Sequence, residues 1–325
     1  MQMGYFLKKR KILITGGSGS LGMALADILV RCGADKVIIY SKNGDKNEAM
    51  RRRFPIFEYI TGDIRDFDLL KKACENIDYV IHAAALKDVH ICEKNPLEAI
   101  DINVNGTVKL LDAAQINNVN KVIVVSSDKA VYPSGVMGIT KAMMEKIATA
   151  HNAPGIIIRP GNLMGSTGTV VPLFIKQVKE GKNLTVTNPE MTRFLMTPES
   201  AAEYLLFALE HGQPKSLVLQ KAPAYSIGML ASAIIDLYSQ DPLHRKESIT
   251  VIGSRPGEKL YETMITEEEI SRSVLLNNLH LQVSTEAKNF SDNLKTAEEY
   301  NSHNAPRIQI DTLKKIITDI SSKNI

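Results

Sequence analysis

The chain has no tryptophan, and aromatic residues make up only 6% of it. Its three cysteines, Cys32, Cys74 and Cys92, form no pair spacing, which argues against a disulfide framework and a cysteine-held metal. Charge of one sign is missing too: 39 Lys and Arg face 36 Asp and Glu, a formal net of +3. Nothing in that balance calls for a nucleic-acid partner. The longest apolar runs, such as Val122–Val125, fall far short of a membrane span. The basic opening, Met1–Lys11, leads straight into a strand and a glycine turn, without the apolar core of a signal peptide. These absences predict a soluble cytoplasmic protein with no membrane and no metal. What is present is ordinary globular material: 325 residues, 44% hydrophobic and 23% charged, enough for one large domain or two intimate ones.

The first half alternates strand and helix patterns. Apolar strands are expected at Lys11–Thr15, Lys36–Tyr40, Phe57–Thr61, Asp78–His82, Val122–Val125 and Gly155–Arg159. Amphipathic helices are expected at Leu21–Val30, Asp66–Glu75, Pro96–Ile116 and Val136–His151. Fully apolar strands between such helices mean a parallel sheet covered on both faces, an α/β doubly wound Rossmann sheet over residues 1–160. Residues 161–290 read as a smaller, partly interleaved lobe, some of its chain returning to the sheet. Its helices are placed at Pro172–Lys179, Pro198–His211 and Ser226–Tyr238, between Pro- and Gly-containing loops at Gly161–Pro172 and Ser254–Lys259. The last stretch, 291–325, is a polar, Asn-rich tail ending in a helix at Asp311–Ile320.

Where the first strand turns into the first helix, Thr15-Gly-Gly-Ser-Gly-Ser-Leu-Gly22 spaces Gly16, Gly19 and Gly22 as GxxGxxG. Glycines there let the backbone approach a pyrophosphate and offer it the N–H groups of Ser20, Leu21 and Gly22. A ligand-free turn is the alternative, but the strand–turn–helix context favours the nucleotide. The end of the second strand selects the cofactor. A chain that takes NAD offers an acid to the ribose 2′-OH; this one offers Ser41 and Lys42, suited to a 2′-phosphate and hence to NADP. Arg51–Arg53 could assist, although a charge run on a helix is usually a solvated face. Asp63-Ile64 after the third strand and the small residues Ala83, Ala84 and Ala85 after the fourth complete a pattern that resembles the extended short-chain dehydrogenase/reductase superfamily.

In that superfamily a Tyr-x-x-x-Lys pair does the proton chemistry, the lysine depressing the phenol pKa. Here Lys141 is present, but Met137 occupies the tyrosine position, and a thioether carries no titratable proton. Just upstream, Asp128 and Lys129 stand at the end of the fifth strand, where parallel sheets bind ligands. A surface ion pair is the alternative for those two. The resemblance sharpens with Ala83–Val89, Asn103–Thr107, Ser127–Val131 with Met137–Lys141, and Arg159–Asn162. Met191–Phe194, Arg255–Glu262 and Glu299–Asn304 extend it. From Lys11 to about Arg307 the chain resembles the inverting UDP-N-acetylglucosamine 4,6-dehydratases of bacterial polysaccharide synthesis, in their short soluble capsular form. Methionine in place of the tyrosine is common in that subgroup.

The resemblance implies NADP-dependent, redox-neutral 4,6-dehydration of UDP-N-acetylglucosamine with inversion at C5, serving capsule or O-antigen amino-sugar synthesis. Lys129 would be the C5 base, needing a lowered pKa, and Asp128 the general acid at the C6 oxygen, needing a raised one. Ser127 would bond the C4 oxygen, Lys141 the nicotinamide ribose, and Asn103 belongs with the cofactor set. Lys141, Tyr132 or a water would take the C4-hydroxyl proton. Lys87, Asn162, Thr185, Arg193, Arg255 and Glu258 are implied to contact the UDP-sugar, the arginines suiting a diphosphate. Retaining dehydratases carry Asp-Glu in place of Asp128-Lys129, and simple epimerases lack the pair and keep the tyrosine. His82 reads as a packed strand-end histidine and His303 as part of an ordered tail. Two alternatives stay open: a dehydratase that also epimerises C3, and a non-catalytic NADP-binding regulator. A homo-oligomer, with a hexamer among the options, is implied as well.

Overall fold

A computed structural model describes residues 5–166, 169–239, 249–255, 257–284 and 298–323. The first half runs β1 (Lys11–Thr15), α1 (Ser20–Cys32), β2 (Lys36–Ser41), α2 (Gly44–Arg53), β3 (Glu58–Thr61), α3 (Phe67–Ala73), β4 (Tyr79–His82), α4 (Val89–Lys94), α5 (Pro96–Ala99), α6 (Gly106–Ile116), β5 (Lys121–Val125), α7 (Val136–Ala150) and β6 (Gly155–Ile158). The second half runs β7 (Asn162–Leu163), α8 (Val170–Lys179), β8 (Leu184–Val186), β9 (Thr192–Met196), α9 (Pro198–His211), β10 (Ser216–Gln220), β11 (Ala224–Ser226), α10 (Ile227–Tyr238), β12 (Ile249–Val251), β13 (Thr263–Ile265), α11 (Glu267–Ser271), β14 (Ser273–Leu275), β15 (His280–Ser284), β16 (Tyr300–Asn301) and α12 (Ile310–Lys323).

Nine strands form one sheet in the order β3-β2-β1-β4-β5-β6-β10-β15-β14. The seven from β3 to β10 are parallel, and β15 and β14 close the edge antiparallel. This is the α/β doubly wound architecture that the alternating pattern predicts. The central strands are buried on both faces because helices cover each side: α1 turns Leu21, Leu25, Ile28 and Leu29, one stripe of a 3.6-residue period, into the core. Ser216–Gln220, Ser273–Leu275 and His280–Ser284 are the parts of the second half that enter the sheet; the Leu217-Val-Leu219 run pairs beside β6 for the same reason of two-sided burial. The rest builds a smaller lobe from the sheets β11-β9-β7, β12-β8 and β13-β16. Its separate core gathers Val171, Phe174, Leu184, Leu230, Ile234, Leu313 and Ile317 from α8, β8, α10 and α12.

Two departures from the sequence reading matter for the site. The helix expected over Pro96–Ile116 is interrupted: Ile100–Asn105 is π-helical, a widened turn that re-aims Asn103 into the protein. α2 and α4 form without an apolar stripe, each started by a side-chain cap, Asn43 and Asp88. The Asn-rich stretch 285–297, with the lobe boundary drawn at 290, and Pro256 of the Ser254–Lys259 loop lie outside the described residues. Among the described residues, no helix is long and apolar enough to cross a membrane.

Candidate active site

The strand order reverses between β1 and β4, the place where an open parallel sheet forms its ligand crevice beyond the carboxyl ends of the strands. After Thr15 the chain enters Gly16 at φ 67°, a left-handed turn. A Cβ at Gly16 would lie 2.7 Å from the Ala84 backbone nitrogen, so glycine alone lets the two strand ends meet this closely. α1 then starts from Gly19 with no side-chain cap, whereas α2, α3 and α4 are capped by Asn43, Asp66 and Asp88. The first-turn N–H groups on Ser20, Leu21 and Gly22 thus lack a side-chain acceptor, a fit for the pyrophosphate of a dinucleotide. Ser18 Oγ donates to Ser41 Oγ at 2.8 Å, tying the end of β2 to the glycine turn, and Lys42 is exposed beside it. The arginine run is a solvated face: Arg51 and Arg52 pair with Glu48, and Arg53 with Asp27.

Further along the crevice, Arg65 grips Asp63 at 2.6 Å and pulls its carboxyl down to about 2, while Ile64 is buried. His82 is wholly buried between Thr15 Oγ1 at 2.8 Å and Thr107 Oγ1 at 3.0 Å. Burial, and then the Lys141 charge, push its pKa down to about 3, so it is a neutral packing residue. Ala83, Ala84 and Ala85 are half-buried. The π-helical turn lets Asn103 clamp Leu86, accepting from its N–H at 2.7 Å and donating to its carbonyl at 2.9 Å. Asn103 also donates to Thr140 at 2.9 Å, which locks the strand-end loop to α7.

The chemistry-bearing residues gather at the end of β5. Asp128 and Lys129 lie in a short 3₁₀ turn capped by Ser127. Ser127 Oγ donates to Asp128 Oδ1 at 2.9 Å, and Lys129 Nζ donates to the same oxygen at 3.1 Å. Lys129 also donates to Asn162 Oδ1 at 2.8 Å and lies 3.4 Å from Glu262 Oε1. Lys259 Nζ meets Glu262 Oε2 at 2.7 Å, and Arg193 Nε approaches Oε1 at 4.0 Å. Four segments, distant in sequence, thus meet in one cluster of two carboxylates and three cations.

Burial alone would lower the Lys129 pKa, but the Asp128 and Glu262 carboxylates outweigh it and hold the amine above the usual lysine value. This corrects the lowered value that a resting C5 base requires: among these carboxylates Lys129 is an ammonium. The depressed amine is Lys141, pushed down to about 8, chiefly by burial and with Lys87 adding to it, against the opposing charge of Glu145. Lys141 Nζ donates to the Val125 carbonyl at 2.8 Å, at the end of β5. Met137 is buried, and a small cleft lined by Val89, Lys129, Gly135, Met137, Gly257 and Lys259 puts it beside Lys129. Tyr132 sits at φ 46°, largely exposed, with Glu299 as its hydroxyl partner.

Not every residue of the sequence reading joins this cluster. Thr185, on β8, is held by Gln177 in the smaller lobe. Arg255 and Glu258 lie on a loop where the Glu258 carboxylate accepts from the Arg255 backbone N–H at 3.0 Å. That loop touches the start of α7, Ser134 donating to the Gly257 carbonyl at 2.9 Å. Lys87 is exposed after β4. Conversely, Lys259, Glu262 and Tyr225, whose hydroxyl reaches Asn162, escaped the sequence reading. The only trace of Lys259 and Glu262 was the Arg255–Glu262 motif, which gives no hint of what it faces, and Tyr225 left none.

Residues 12–283 match the family model described as polysaccharide biosynthesis protein. A UDP-glucose 4-epimerase of Rickettsia conorii is 39% identical over 329 residues, covering 95% of this chain and 95% of that protein. Among solved structures, Pen from Bacillus thuringiensis superposes with a TM-score of 0.89 at 31% identity, over 97% of this chain and 99% of that one. DesIV, a dTDP-glucose 4,6-dehydratase from Streptomyces venezuelae with NAD and TYD bound, gives 0.70 at 22% identity over 77% and 86%, a likeness of fold. With the sheet order, the glycine turn and this family match all in agreement, the chain belongs to the polysaccharide biosynthesis protein family.

Proposed function

We propose that this protein is a nucleotide-sugar-modifying enzyme of the extended short-chain dehydrogenase/reductase type, and specifically that it dehydrates UDP-N-acetylglucosamine across C5 and C6 with inversion at C5. The observation that carries the reading is the Asp128–Lys129 pair, set into Asn162 and Glu262 at the strand end beside Lys141. Gly16, Gly19, Ser20, Leu21 and Gly22 would hold the pyrophosphate of NADP, and Ser41 and Lys42 its 2′-phosphate. Asp63, Ile64, Ala83, Ala84, Ala85, Asn103 and Lys141 would complete the cofactor cleft. When bound, the cofactor supplies a hydride acceptor at C4 and a hydride donor at C6, so no external reductant is consumed.

Lys141, already near neutrality, takes the C4-hydroxyl proton, while Ser127 bonds the C4 oxygen. A C4 ketone acidifies the proton at C5. The Asp128–Lys129 pair holds one proton, resting on Lys129; its transfer across 3.1 Å to Asp128 yields a neutral amine and a carboxylic acid. The amine is the base for C5 and the acid protonates the departing C6 hydroxyl. Arg193, Arg255, Lys87, Asn162, Thr185 and Glu258 form the UDP-sugar set of this reading.

The relatives' name favours a second reading, 4-epimerisation. That reaction needs only oxidation and reduction at C4 and leaves the Asp128–Lys129 pair without a task. Proton NMR of the product from UDP-N-acetylglucosamine, and in parallel from UDP-glucose, separates the two. A C6 methyl on a 4-keto sugar with inverted C5 supports dehydration, and an intact CH₂OH with inverted C4 overturns it. An altered C3 would add the epimerising variant, and no turnover with tight NADP binding would leave a regulator.

A further inference from the structure

We propose that Glu262 is the positioning residue for Lys129: its carboxylate fixes where the amine points and how readily the amine releases its proton. An ammonium has three N–H donors, and three acceptors surround this one: Asp128 Oδ1 at 3.1 Å, Asn162 Oδ1 at 2.8 Å and Glu262 Oε1 at 3.4 Å. Asp128 is the neighbour in sequence and moves with Lys129; Glu262 arrives from the far side, 133 positions away by number, and is only 2% exposed.

The backbone that carries this carboxylate is itself held at both its N–H and its carbonyl. The Glu262 N–H donates to Ser302 Oγ at 3.0 Å, and the Ser302 N–H donates back to the Glu262 carbonyl at 2.8 Å. Ser302 Oγ also lies 2.7 Å from Thr192 Oγ1 and 3.1 Å from the Thr192 carbonyl, so β9 and the C-terminal turn grip the same residue. A buried carboxylate persists only when charges of opposite sign compensate it, and here Lys129, Lys259 and Arg193 do so from three different segments. The groups that face the pair are Asp128 from the 3₁₀ turn, Asn162 from β7, Arg193 from β9, Tyr225 from β11 and Lys259 from the loop.

The inference deepens the proposed function, since it takes Lys129 as the group that moves the C5 proton. The test therefore has one arm that needs no turnover. In full-length protein labelled with ¹⁵N-lysine, the Lys129 Nζ resonance, assigned by its loss in Lys129→Arg, is titrated in the wild type and in Glu262→Gln. Removing the carboxylate should lower the midpoint by about one unit, a tenfold change in the acid constant. The conservative Glu262→Asp should restore part of it. The limb of the kcat profile that reports Lys129 deprotonation should move to lower pH by the same amount. An unchanged midpoint in a folded Glu262→Gln protein overturns the proposal. Should that variant fail to fold, Lys259→Met decides: it frees Oε2 and removes a cation, so the midpoint must rise, and a fixed or falling midpoint overturns the inference. A shifted midpoint in a protein that dehydrates nothing would support the placement of Glu262 while overturning the dehydratase reading.

Discussion

The proposed cofactor end and the proposed proton-handling end of the crevice are built on opposite principles. Around Gly16–Gly22 the working groups are backbone N–H donors and absent side chains, and one short strand–turn–helix segment supplies them. Around Lys129 every working group is a side chain, and they come from residues 127–129, 162, 193 and 259–262, with residue 302 behind them. The first arrangement tolerates few substitutions because the space is already taken by backbone. The second depends on charges that neutralise one another, so the loss of one member leaves the others buried and unbalanced. The contrast separates what binds from what reacts: a fault at one end should leave the other intact.

The largest effect is expected at the reactive end. Lys129→Ala should cut dehydration by about a thousandfold or more, the scale of a lost general base, with folding and NADP binding retained. Turnover in D₂O should place deuterium at C5 in the wild type only; normal labelling in the variant would put the base elsewhere. Next comes the binding end. Gly16→Ala forces a Cβ against the Ala84 backbone at φ 67°, a strain of about 2 kcal/mol that should appear as a roughly thirtyfold loss of cofactor affinity by calorimetry. The Lys129 resonance should titrate as before, and movement of both would break the proposed independence of the two ends.

Lys42→Ala should weaken NADP⁺ by about tenfold, the worth of one charge-assisted contact, and leave NAD⁺ nearly untouched. Wild-type affinity for NAD⁺ equal to that for NADP⁺ would remove the basis for the preference. The smallest effect is expected at Met137. Met137→Leu keeps the bulk and loses only the sulfur, so the rate should stay within about threefold of the wild type. With Lys141 at about 8, the neutral amine becomes more abundant as pH rises, so the rate should climb between pH 7 and 9 and then level off. The Met137→Leu profile should keep that climb. An inactive wild type rescued by Met137→Tyr would instead mark the methionine as a lesion.

Much of the frame was legible because it is written in local pattern. Lys11–Thr15, Lys121–Val125 and the glycine turn announce themselves by unbroken apolar runs and by residues whose missing side chains have a backbone purpose. The interruption at Ile100–Asn105 was not legible, because a π-turn adds a residue without changing the helical character of the sequence. α2 was hidden for a related reason: its start rests on the Asn43 cap, and only Met50 and Asn47 of an otherwise largely charged helix are buried. At the site, Asp128 and Lys129 stood out as neighbours, whereas Glu262 and Lys259 looked like two charges in a loop.

The sequence by itself determined the doubly wound sheet and the glycine turn, since apolar periodicity and steric permission act over a few residues. It also determined which side chains were on hand for chemistry. Only the tertiary structure decided their protonation and company. Lys129 keeps its proton because two carboxylates meet it, one from the adjacent residue and one from a loop of the smaller lobe. Lys141 holds its own less firmly than an ordinary lysine, because burial at the end of β5 removes the water that would stabilise its charge. Asp128 beside Lys129 can be read from the sequence, but Glu262 and the burial of Lys141 cannot, because both are set by how distant chain packs.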